Sequence, residues 1–145
     1  MRFALVFLVA LLGSTPIFGQ VGPVRAPIAE KDLPECRPMK GTPVDLVTGA
    51  KNAPKSLQRP TIVKRVAPAS MSGLLPAGVR VTTAVRVVLS ESGCVEDVSL
   101  IKSGFPASDT AVFEAVRQWR YLPALVEGEP VPVVIAATVN FGTEN

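Results

Sequence analysis

Proline decides where this chain can carry regular structure. Ten of its 14 prolines fall in one stretch: Pro16, Pro23, Pro27, Pro34, Pro38, Pro43, Pro54, Pro60, Pro68 and Pro76. Each fixes φ, removes a backbone donor and pushes the residue before it away from helical angles. No apolar period of 2 or 3.6 lasts there for more than a few residues. Residues 20–60 therefore read as an extended, partly ordered, Pro-rich lead-in. The folded part is expected over residues 61–145.

Beyond Val79 the pattern sharpens. "VRVTTAVRVVLS" sets Val79, Val81, Val85, Val87 and Leu89 on one face and Arg80, Thr82, Ala84, Arg86 and Val88 on the other, the alternation of a half-buried strand. "SESG" then separates it from a second strand over about Cys94 to Lys102, so the two should form a hairpin. Next, Val112, Ala115, Val116 and Trp119 recur at i, i+3, i+4 and i+7, which predicts an amphipathic helix. Ser108 or Asp109 can cap its start, Pro123 cannot continue it, and Arg117 and Arg120 suit its carboxyl end. Glu127-Gly128 marks a turn, and "VPVVIAATVNF" alternates again with Val131, Val133, Ile135, Ala137, Val139 and Phe141 on one face. Pro130 and Pro132 confine the start of this strand to a sheet edge or an unpaired position.

The expected fold is α+β: a two-layer β-β-α-β unit, a three-stranded antiparallel sheet with one helix packed on it. The first strand should be central and the last at an edge. Val112, Val116, Trp119 and Tyr121 are the expected core anchors at the helix. Trp119 should bury against the sheet, and Tyr121 should sit at the helix exit with its hydroxyl near water.

Residues 1–19 combine Arg2, an apolar run from Phe3 to Leu12 and a small-residue exit with Pro16, the order of a secretory signal peptide cleaved after Gly19. The alternative is an uncleaved membrane anchor. Export to the periplasm would make Cys36 and Cys94 candidates for a disulfide; joined, they would close a loop worth about 4 kcal/mol on the chain-entropy estimate. Two separate thiols, or pairing with another chain, remain open alternatives. Between Leu46 and Ser90 there are seven bases (Lys51, Lys55, Arg59, Lys64, Arg65, Arg80, Arg86) and no acid. Their even spread fits a solvated linker better than a binding patch, and without interleaved aromatics nucleic acid has little support as a partner.

With no His in the chain there is no Ser-His-Asp triad, no Cys-His pair and no imidazole metal site. Neither GxxxxGK[ST] nor GxGxxG occurs, so no nucleotide cofactor is expected; nor is a metal. Glu96 and Asp97 are neighbours on a strand and point to opposite faces. These absences argue against an enzyme. A thiol enzyme using Cys94 is the weakest reading.

Ser103-Gly104, Asp109, Ala111, "AVRQWRYLPA" and "EGEPVPVVIAATVNF" together resemble the carboxyl-terminal domain of TonB-like proteins, over about Thr61 to Phe141. That family typically has Ser-Gly after its second strand, Ala-Val-Arg-x-Trp-Arg-Phe and Pro-Ala around the end of its helix, and Gly-x-Pro-Val before its last strand. Here Ser108 replaces a Leu and Tyr121 a Phe. The resemblance implies a protein-binding module of the cell envelope. It implies capture of an extended peptide by strand addition along the edge formed by Val133, Val134, Ile135, Ala136, Ala137, Thr138, Val139, Asn140 and Phe141. The implied partner is the amino-terminal segment of a TonB-dependent outer-membrane receptor. The same edge could instead pair with a second copy, giving a homodimer. If the amino-terminal segment is retained as an inner-membrane anchor, the chain becomes a short energy-transducer-like subunit for TonB-dependent transport. It lacks, however, the functional His of full-length transducers.

Overall fold

The computed structural model describes residues 29–69, Leu75 and residues 78–142. The expected signal segment 1–19 and the start of the lead-in lie outside the described residues. The strands in chain order are β1 (Val44–Asp45), β2 (Thr61–Lys64), β3 (Arg80–Leu89), β4 (Val95–Lys102), β5 (Arg120–Leu122), β6 (Ala124–Val126), β7 (Glu129–Val131) and β8 (Val133–Gly142). One helix, α1 (Pro106–Val116), stands between β4 and β5. Short 3-10 turns occupy Glu30–Asp32 and Ala50–Asn52.

The alternating runs form the main sheet. β3 is its centre, antiparallel to β4 on one side and to β8 on the other. The sheet nevertheless has four strands, in the order β1-β8-β3-β4, because β1 pairs parallel with the start of β8. The expected three-stranded, wholly antiparallel sheet is thereby corrected. Two residues are too few to show a period, and a parallel partner from a remote segment leaves no local turn signal. Two further pairs flank the main sheet: β2 with β5, and β6 with β7. The second of these is closed by Glu127 and Gly128, with φ of 54° and 88°. Positive φ at both central residues is the twist that suits a two-residue hairpin.

The helix packs against β4 and β3. Its stripe brings Val112 and Val116 onto Val85, Val87 and Leu89 of β3, Val98 of β4, and Val133 and Val139 of β8. Leu46 from the lead-in is buried in the same core, with Ala53, Leu57 and Val66 packed on it. The Pro-rich segment therefore covers apolar surface.

Helix α1 begins at Pro106, with Phe105 extended at the cap position and no side-chain cap. Proline at the first turn pre-sets φ and wastes no donor. This corrects the expected Ser108 or Asp109 cap: both residues lie inside the helix and are buried. The helix ends at Val116, so Trp119 follows it across a turn and Arg120 and Tyr121 belong to β5. The β3–β4 turn requires glycine at Gly93, where φ is +76° and an added Cβ would overlap the Tyr121 carbonyl oxygen. That close approach lets the Tyr121 N–H donate to the Gly93 carbonyl at 2.9 Å, tying β5 to the hairpin.

Candidate functional site

Main-chain groups on a strand alternate sides, and two bonds fix which side is which on β8. The carbonyls of Pro132 and Val134 accept from the N–H groups of Val44 and Leu46 at 3.0 and 2.9 Å, so the even-numbered residues face away from β3. The N–H and C=O groups of Ala136, Thr138 and Asn140 therefore point outward, and those of Val133, Ile135, Ala137 and Val139 point to β3. Among the described residues no strand runs beside β8 past Val134. Side chains follow the same alternation. Ala136, Thr138 and Asn140 are exposed on the face away from the helix, Ile135 and Ala137 are half-buried, and Val139 is buried.

The two edges of the main sheet differ. β4 breaks register against β3 twice, at Glu96 and Ile101, and carries Glu96, Asp97 and Lys102. Bulges and charges of this kind blunt an edge against pairing. β8 pairs with β3 through ten consecutive positions, Arg80 with Gly142 through Leu89 with Val133, without a break. It carries no charged residue. Its outer side is thus a regular ladder with outward donors and acceptors.

Not every residue expected on that edge lies on its open part. β1 covers Val133 and Val134, and Val134 is 1% exposed. The backbone of Phe141 pairs with Val81, while its side chain lies outside the described residues. At the covered end Asp45 turns the chain off the edge. Its carboxylate accepts from the N–H groups of Val47 and Thr48 at 2.8 and 3.0 Å and from the Thr48 hydroxyl at 2.8 Å. Arg86, on β3, reaches it at 3.1 Å across the width of β8. The hydrogen bonds from Thr48 and Val47, with the Arg86 guanidinium, hold the Asp45 carboxyl well below the usual carboxylate range.

Trp119 is 3% exposed, and its indole N–H donates to the Val66 carbonyl at 2.7 Å. The Arg65 guanidinium lies 5.0 Å from the ring centre. The indole pins the end of the lead-in to the core and has no open face for a ligand. Tyr121, expected at a wet helix exit, is instead buried at 5% exposure in β5, opposite Ile62. Burial pushes its hydroxyl up to about 12 from 10.0, with the Arg65 charge opposing. The helix pattern could not show this, because it is β2, with no apolar period of its own, that makes residues 120–122 a strand.

A buried polar cluster escaped the sequence reading. The Thr83 hydroxyl donates to Asp109 Oδ1 at 3.0 Å, lies 3.2 Å from Ser108 Oγ and accepts from the Gly104 N–H at 3.3 Å. The Ser103 hydroxyl donates to the other oxygen of Asp109. A Cβ on Gly104 would stand 2.8 Å from the Thr82 carbonyl, so the Ser-Gly pair lets the chain pass close over β3. The available signal was Thr83 itself, a polar residue on the apolar face of β3. The cluster locks the helix start to the sheet. Cys36 and Cys94 are bonded, with sulfurs 2.08 Å apart, so the thiol-enzyme reading has no free thiol in this structure. Among the described residues no three His, Cys, Asp or Glu side chains are grouped to hold a metal ion, and no helix is long and apolar enough to cross a membrane.

Residues 77–143 match the family described as Gram-negative bacterial TonB protein C-terminal. This segment is a TonB C-terminal domain. The match spans β3, β4, α1 and β5 to β8, and it leaves the lead-in with β1, β2 and Cys36 outside. No curated protein matches the chain. The TonB C-terminal family is one of protein-interaction modules associated with the cell envelope, and outer-membrane receptors are among the proteins such domains engage.

Proposed function

We propose that this TonB C-terminal domain captures an extended peptide of an envelope partner by strand addition along the outer side of β8, from Ile135 to the strand's end. The observation that carries this is the contrast between the two edges. β8 has an unbroken register and outward groups at Ala136, Thr138 and Asn140, whereas β4 is bulged and charged. Main-chain bonds to those groups would supply affinity. Alternate side chains of the peptide would lie beside Ile135 and Ala137 on one face and beside Ala136, Thr138 and Asn140 on the other, which favours a partner segment with apolar residues at every second position. The partner is the amino-terminal segment of an outer-membrane receptor. The chain would meet it in the periplasm after removal of residues 1–19, and the intact mass of the exported protein tests that step.

Ala136→Pro tests the edge. The Ala136 N–H faces outward, so proline there costs no bond to β3, and edge strands tolerate such a proline. The variant is expected to stay folded and to lose at least tenfold in affinity for a synthetic receptor amino-terminal peptide. Ala137→Pro, whose lost donor faces β3, should unfold the domain. Unchanged peptide binding by folded Ala136→Pro would refute strand addition on β8.

A further inference from the structure

The open edge of β8 starts where a built strap ends. The strap, residues 34–46, is clamped to the β3–β4 turn by the Cys36–Cys94 disulfide. The Arg37 N–H also donates to Ser92 Oγ at 3.3 Å, and the N–H groups of Lys40 and Gly41 donate to one Glu91 carboxylate oxygen at 3.2 and 3.1 Å. The Arg120 guanidinium donates to the Pro34 carbonyl. Past these anchors, β1 takes the first two positions of the β8 edge, and Asp45, bridged to Arg86, ends it.

We propose that this strap is a covalently held register stop for the captured peptide, an inference that rests on the strand-addition reading. A one-residue slip turns every side chain of an added strand to the other face, which the alternation beside half-buried Ile135 and Ala137 opposes. A two-residue slip keeps every side chain on its face, so alternation alone leaves it unopposed. An obstacle at one end supplies what the ladder lacks. With the strap in place the peptide pairs with Ala136, Thr138 and Asn140 and stops short of Val134, whose N–H faces the Val44 carbonyl in the β1 register. The domain thus selects a peptide by where its pairing must begin.

Amide hydrogen exchange on the full chain tests this, with and without the receptor amino-terminal peptide. In Cys36→Ser with Cys94→Ser, the amides of Val44, Leu46 and Val134 should exchange at least tenfold faster than in the parent, while Ile135, Ala137 and Val139 are unchanged. Peptide should protect Ala136, Thr138 and Asn140 in both proteins and restore protection to Val134 only in the variant. Val44→Pro, which removes a β1 donor with the disulfide intact, should give the same extension if the double variant does not fold. Parent-like protection of Val44 and Leu46 without the disulfide, or a Val134 amide that peptide leaves unprotected in both variants, overturns the stop while leaving strand addition standing. A peptide that protects none of Ala136, Thr138 and Asn140 overturns strand addition, and the stop with it.

Discussion

Removing the indole of Trp119 should separate two contributions that the structure shows at one residue. The ring is 3% exposed within the core cluster, and truncating a buried Trp to Ala costs about 3–5 kcal/mol. The N–H bond to the Val66 carbonyl is a further and smaller part, about 1 kcal/mol net for a typical hydrogen bond. Trp119→Phe keeps a ring and loses the donor and some volume, so about 2 kcal/mol is expected, against about 4 for Trp119→Ala. On a domain of total stability about 5–15 kcal/mol, the alanine variant forfeits a large share. Urea unfolding followed by far-ultraviolet circular dichroism suits both, since the chain's only Trp is the residue removed. An unchanged m-value would show that stability falls without a change in the surface exposed on unfolding. Equal losses for Phe and Ala would mean that ring burial adds nothing beyond the hydrogen bond. A loss below about 1 kcal/mol for Ala would mean that the indole is not a core anchor.

Gly93→Ala must place a Cβ on the Tyr121 carbonyl at positive φ, so a loss of about 3 kcal/mol or more and a correspondingly lower melting temperature are expected. Asp109→Ala removes the acceptor of the Ser103 hydroxyl and leaves the Thr83 hydroxyl only Ser108 Oγ to donate to, and should cost about 1–3 kcal/mol in the same urea assay; Asp109→Asn, which keeps an acceptor, should cost less. For Tyr121 the folded form releases its proton near 12 and the unfolded form near 10.0, so the folded state binds the extra proton between those values. Its contribution is complete below pH 10 and is lost as pH rises toward 12. Tyr121→Phe should flatten that part of the unfolding free energy against pH, and an identical slope in both proteins would count against a buried hydroxyl.

Strands β3 and β8 are visible in the sequence because each repeats an apolar residue every second position for about ten residues, long enough for the period to stand out. Helix α1 is visible for the same reason at its own period, although it ends at Val116, before Trp119 and seven residues short of Pro123. Tyr121 shows where such reading stops. The stripe through Val116 and Trp119 suggests a helix that runs up to Tyr121, and only pairing with Ile62, 59 positions earlier, makes Tyr121 part of a strand. Thr83 shows a second limit, since a polar residue on a buried face has meaning only when Asp109 and Gly104 arrive to satisfy it.

What the sequence alone determines here is the local half of the fold: where strands and the helix lie, and which faces are apolar. Those follow from side-chain periodicity and from what proline and glycine permit. What only the tertiary structure decides is how far the β8 edge is open. That depends on Val44 and Asp45, on Arg86 reaching Asp45, and on a disulfide holding the strap against the β3–β4 turn. These are contacts between segments far apart in the chain, and no local pattern encodes them because their energy exists only once both partners are in place.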